Sequence, residues 1–133
     1  MNDFFAGLDV STQGQKIVVI DLQKNSVIYS DSINYDLDLP KYSTLNGVIR
    51  DTENGISESN PKMWIDALDL LFERLKTSSD IIQSIKAISI AGQQHGLVAI
   101  DKYGNLAKPT SKLWNDFSTL EECEILTKEI GGF

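Results

Sequence analysis

One cysteine, one histidine and three prolines are all that 133 residues supply of the types that most constrain structure and chemistry. With Cys123 as the lone cysteine, no disulfide can close within the chain. With His95 as the lone histidine, a zinc site of the usual histidine and cysteine type lacks ligands. A Ser-His-Asp triad would have to use that same residue. Positive charge is also short: twelve Lys and Arg face nineteen Asp and Glu, for a net charge of −7. That balance argues against a nucleic-acid surface, which needs a basic stripe, and against docking on anionic lipid. It does not argue against a phosphorylated ligand, because backbone N–H groups hold phosphate without net positive charge. No apolar run approaches membrane-spanning length. The opening Met-Asn-Asp-Phe-Phe has neither a basic segment nor a long apolar one, so a secretory signal is not expected. A reducing cytoplasm is the expected location.

What is present reads as one ordinary soluble domain, with 41% hydrophobic and 23% charged residues. Phe4 to Val10 and Lys16 to Asp21 are short apolar runs with the composition of buried strands. Ser26 to Tyr35 alternates and predicts a third strand, giving an antiparallel meander. Residues 36–60 show no period; loops this long are lids, binding loops or disordered segments. Asn60 and Pro61 then suit a helix start. Met63, Trp64, Ala67, Leu68, Leu71, Phe72 and Leu75 mark one apolar face, and Trp64 reads as core. Ile85 to Ala91 and Leu97 to Ile100 read as strands, and Ser111 to Trp114 as a short one. A last helix is expected from Ser118, with Glu121 completing a capping box. Its inner stripe would hold Leu120, Cys123, Leu126, Thr127 and Ile130, with Cys123 as a packing residue.

This order lets the long helix act as a crossover that returns the fourth strand parallel to a member of the meander; beside the first strand, the two C-terminal ends would point the same way. The polar turn Asp9-Val10-Ser11-Thr12-Gln13-Gly14 and the run Gly92-Gln93-Gln94-His95-Gly96 would then share one sheet edge. Ligands of open α/β sheets favour that edge. A plain hairpin needs far less polar chemistry than the first turn carries. Taken alone, that turn also reads as a hairpin with a solvated aspartate, and a lone histidine in a turn reads as one satisfied by backbone.

The stretches "GLDVSTQGQKIVVID", "AISIAGQQHGLVAID" and "LWND", in this order and spacing, resemble the FGGY carbohydrate kinases, and within them the xylulokinase branch. The resemblance implies an α/β fold: a ribonuclease H-like, actin/hexokinase-type mixed sheet with flanking helices. It implies that residues 1–133 form the N-terminal portion of the first actin-like domain. The family's catalytic aspartate and second domain would lie beyond it, so this chain alone is expected to lack kinase activity. The implied cosubstrate and metal are ATP and Mg²⁺. Asp9 would hold the metal, and Ser11, Thr12, Gly14 and Lys16 would serve phosphate, with Gly14 free to take positive φ. Gln94 and His95 would contact the sugar, with Trp114, Asn115 and Asp116 beside it. A core tryptophan at a strand end is the competing reading of Trp114. Ser11 stands where the family commonly has glycine, and Phe117-Ser118-Thr119 stands where bacterial members carry an arginine and a threonine.

The full enzyme would phosphorylate D-xylulose to D-xylulose 5-phosphate. Two alternatives stay open: a kinase for another sugar or polyol, and a non-catalytic fragment that acts in binding or assembly. The expected partners are a small-molecule sugar and ATP, with no nucleic acid and no membrane. An exposed sheet edge invites pairing with a second copy, so a homodimer is a further expectation.

Overall fold

The computed structural model describes residues 3–49, 55–78 and 80–132. Three strands form the meander: β1 (Phe4–Val10), β2 (Gly14–Asp21) and β3 (Ser26–Asn34). A one-turn helix, α1 (Tyr35–Asp38), follows directly, capped by Asn34, whose Oδ1 accepts from the Leu37 N–H at 3.1 Å. Segment 36–60, which shows no period, contains two short strands, β4 (Thr44–Leu45) and β5 (Val48–Ile49), paired as a small hairpin. It also contains β6 (Glu58–Ser59), which pairs with β8 (Ser111–Lys112). The long helix α2 (Pro61–Ser78) starts where the sequence predicts, with Asn60 Oδ1 accepting from the Lys62 N–H at 3.0 Å. It crosses to β7 (Ile85–Gly92). A final helix, α3, covers Leu120–Glu129.

The main sheet has the order β3-β2-β1-β7, with β7 parallel to β1 and the meander antiparallel. The core lies on one face. Phe4, Ala6 and Leu8 of β1 alternate with exposed or half-buried neighbours, as a strand covered on one side requires. Ile17 and Val19 of β2 join them, and Met63, Ala67, Leu71 and Leu75 of α2 close over the layer. The spacing of four residues along α2 stacks these side chains on one stripe.

Three expectations differ from the structure. Leu97–Ile100 is not a strand: Leu97 and Ile100 each make only an isolated bridge, to Lys112 and Leu106. The last helix begins at Leu120 rather than Ser118, and its cap residue, Thr119, makes no side-chain capping bond, so no capping box forms. Its stripe is not packed: Leu120, Leu126 and Ile130 are exposed, and Cys123 is exposed instead of buried.

Candidate functional site

Because β1 and β7 run parallel with Val10 opposite Gly92, their C-terminal ends deliver two loops to the same place. The Gln93 N–H continues the ladder by donating to the Val10 carbonyl at 3.0 Å. This is the shared edge that the order of elements predicts, and it brings the turn at 11–14 against the corner at 93–96.

The turn is held tightly. Both the N–H and the hydroxyl of Ser11 donate to the Gly14 carbonyl, each at 3.0 Å, so these Ser11 groups serve the turn itself in this geometry. From beneath, the Tyr35 N–H donates to Gln13 O at 3.1 Å and the Tyr35 O–H to Ser11 O at 3.2 Å. Tyr35 is fully buried. Burial pushes its phenol up to about 12, and the nearby Asp9 carboxylate also raises it, so the hydroxyl remains a donor at neutral pH. Gly14 does not adopt positive φ, contrary to expectation. A glycine is required there for another reason: a Cβ would lie 2.2 Å from the Ile33 carbonyl oxygen. Asp9 is exposed at the end of β1, with Lys16 directly opposite on β2.

Thr12 joins the pieces. Its hydroxyl donates to Gln93 Oε1 at 3.1 Å and accepts from the indole N–H of Trp114 at 3.1 Å. A residue of the turn, one of the corner and one of the Leu-Trp-Asn-Asp run thus form a single hydrogen-bonded chain, although 102 positions separate Thr12 from Trp114. Gln93 was not among the expected site residues. Gln93 is half-buried and Gln94 exposed, so the two adjacent amides differ only in which way the ladder turns them. His95 is exposed and holds φ 60, the left-handed region. Trp64, expected in the core, is half-buried and packs against it, and it shares with Gln93 and His95 the wall of a cleft of about 210 Å³.

Asn115 and Asp116 are turned to other partners. Asn115 Oδ1 accepts from the Ser57 hydroxyl at 2.7 Å. Asp116 accepts from the Ser57 N–H at 2.8 Å, Lys112 Nζ at 3.0 Å, and the hydroxyl and N–H of Ser118 at 2.6 and 3.2 Å. Burial pushes the Asp116 carboxyl up, but the bonds from Ser118, Ser57 and Lys112 outweigh it and hold the group well below the usual carboxylate range. These two side chains fasten the loop that carries Trp114 to the strand region at Ser57.

Mg²⁺ binds through one or two carboxylates and keeps several waters. Asp9 offers one exposed carboxylate beside the turn, and the described residues contain no group of three or more His, Cys, Asp or Glu side chains that could cage a metal. A larger groove of about 550 Å³ near the start and middle of α2 is lined by Asp38, Asp66, Asp69 and Glu73 against Lys41 alone. That charge repels phosphate, and the groove contains none of the turn or corner residues.

The model of the FGGY family of carbohydrate kinases, N-terminal domain, matches residues 4–132. A xylulose kinase of Schizosaccharomyces pombe is 44% identical over 147 aligned residues, which cover 96% of this chain and 26% of the relative. Among solved structures, one described as a xyloylose kinase from Brucella ovis superposes with a TM-score of 0.76 at 26% identity, over 95% of this chain and 24% of that one. A gluconate kinase from Lactobacillus acidophilus gives 0.75 at 25% identity, over 98% and 23%. The chain therefore spans about a quarter of the length of the proteins it matches.

Proposed function

This chain belongs to the FGGY family of carbohydrate kinases, and from that premise we propose that it forms the phosphate- and sugar-gripping part of an ATP-dependent sugar kinase. The acceptor is D-xylulose and the product D-xylulose 5-phosphate. Residues 1–133 are read as the N-terminal portion of the first of two actin-like domains, working in the cytoplasm. The observation that carries this reading is the Trp114–Thr12–Gln93 chain, which ties the turn on the phosphate side to the corner on the sugar side.

Phosphoryl transfer from ATP is catalysed chiefly by positioning and charge stabilisation. Here Thr12 and Gly14 would shape the loop around phosphate oxygens, and Lys16 would add a positive charge at its rim. Asp9 would hold Mg²⁺, whose chemistry is to neutralise phosphate charge. Gln94 and His95 are exposed and can donate to and accept from several hydroxyls of a ketose. The Trp114 ring would wall one side of the sugar, its N–H already directed to Thr12. Asn115 and Asp116 serve by anchoring that wall.

The kinship in fold with a gluconate kinase favours testing a second acceptor class. The protein, expressed at its natural length, is assayed with Mg·ATP against D-xylulose, D-gluconate and glycerol. Phosphorylation of xylulose at the highest kcat/KM is the expected result. Turnover of gluconate or glycerol with none of xylulose would overturn the substrate assignment, and turnover of none would overturn the kinase reading.

A further inference from the structure

The segment between α1 and β6 has a purpose that its irregular sequence conceals. Asn46 and Gly47 connect β4 to β5 with φ of 54° and 78°, the two positive values of a tight two-residue hairpin turn. Asp36 holds that tip in place. Its Oδ1 accepts from the Thr44 hydroxyl at 2.7 Å and the Gly47 N–H at 3.1 Å, and its Oδ2 accepts from the Asn46 N–H at 2.6 Å. The tip lies against the backbone of Thr12. A Cβ on Gly47 would fall 1.8 Å from the Thr12 carbonyl oxygen and 2.8 Å from its carbon. Backbone cannot yield as the far end of a flexible side chain can, so only a glycine allows this approach.

The consequence concerns three successive carbonyls of the turn, those of Ser11, Thr12 and Gln13. Tyr35 binds those of Ser11 and Gln13, and Gly47 abuts the one between them. We infer that the Asn46–Gly47 tip, latched by Asp36, is a positioning element that sets the height of the phosphate turn and thereby the orientation of the Thr12 hydroxyl. The inference rests on the reading that this turn holds phosphate of ATP. It assigns to Gly47 and Asp36 an effect exerted through Thr12, with no contact to substrate of their own.

Gly104 supplies the control. It has nearly the same backbone, φ 82°, but a Cβ there meets nothing within 4 Å. Gly47→Ala and Gly104→Ala therefore carry the same left-handed strain, and only the first pushes on Thr12. In the protein at its natural length, Gly47→Ala is expected to lower kcat/KM for ATP at least about tenfold relative to Gly104→Ala, as displaced positioning groups do. Equal kcat/KM for the two variants would overturn the inference. Should Gly47→Ala fail to fold, Asp36→Asn loosens the latch without a clash; a raised KM for ATP supports the inference and an unchanged one overturns it. Should the wild type show no kinase activity, the functional reading fails, and the brace is judged from ¹⁵N-labelled protein. Amide resonances of Ser11 to Gly14 that move with Gly47→Ala and stay with Gly104→Ala support it; resonances that stay in both overturn it.

Discussion

The two ends of this chain use hydrophobic residues in opposite ways. Between Phe4 and Leu75, apolar side chains converge: Ile17, Val19, Tyr35, Met63, Ala67, Leu71 and Leu75 show no exposed surface at all. Between Leu97 and Ile130 most diverge, Leu113 alone being buried. Leu97, Ile100, Phe117, Leu120, Ile125 and Ile130 are each more than half exposed. Both regions contain an amphipathic helix, the more strongly patterned one being α2, and a stripe at helical or strand spacing defines a face without saying what covers it. The first region finds its cover within the same hundred residues. The second is held by polar ties instead, centred on Ser57 and Asp116.

That contrast breaks most visibly at Leu71. Leu71→Ala, at a fully buried position, should cost about 2–5 kcal/mol of unfolding free energy, read from chemical denaturation. A smaller loss would mean that α2 is packed less closely than its burial indicates. Asp116→Asn attacks the polar counterpart and should cost about 1–3 kcal/mol, because it weakens bonds made to a charged acceptor. The sign of its pH dependence follows from the depressed carboxyl. The stabilisation is complete above the unfolded value, near about pH 4, and is lost as pH falls through the lower folded value. Wild type and Asp116→Asn should therefore converge in stability as the pH drops below about 4; a gap that persists undiminished in acid would remove Asp116 ionisation as its cause. The smallest effect belongs to Leu126, which is exposed on α3. In the 133-residue chain, Leu126→Ser should change stability by no more than about 0.5 kcal/mol. A loss comparable to that of Leu71→Ala would show that α3 has cover.

How much of this was legible in the sequence follows the same divide. The meander, the helix at Pro61 and the parallel return of β7 are written in local signals: period-two alternation, an Asn-Pro cap and apolar residues four apart. The convergence of the 11–14 turn with the 93–96 corner follows from that topology. What was not legible depends on bonds between distant residues. Leu97–Ile100 has the composition of a strand but no neighbour with a matching ladder. Gln93 and Gln94 are chemically identical, and only the register set by Val10 turns the first inward. Cys123 sits on a sound stripe with nothing above it. Residues 36–49 lack a period because the Asp36 carboxylate orders their tip, while only Leu39 and Tyr42 reach the core. The Leu-Trp-Asn-Asp run was recognisable as a unit, but its division of labour was not: Trp114 reaches Thr12 while Asn115 and Asp116 reach back to Ser57.

One detail of the corner bears on how such a site persists. His95 occupies a backbone conformation, φ 60, that a glycine would adopt without resistance. Keeping a residue with a Cβ there costs on the order of 1 kcal/mol. On the proposed sugar contact, stability and chemistry would pull on this position in opposite directions. A version of the chain improved for thermal robustness alone would drift towards glycine at 95, gaining heat resistance as it surrendered its only imidazole.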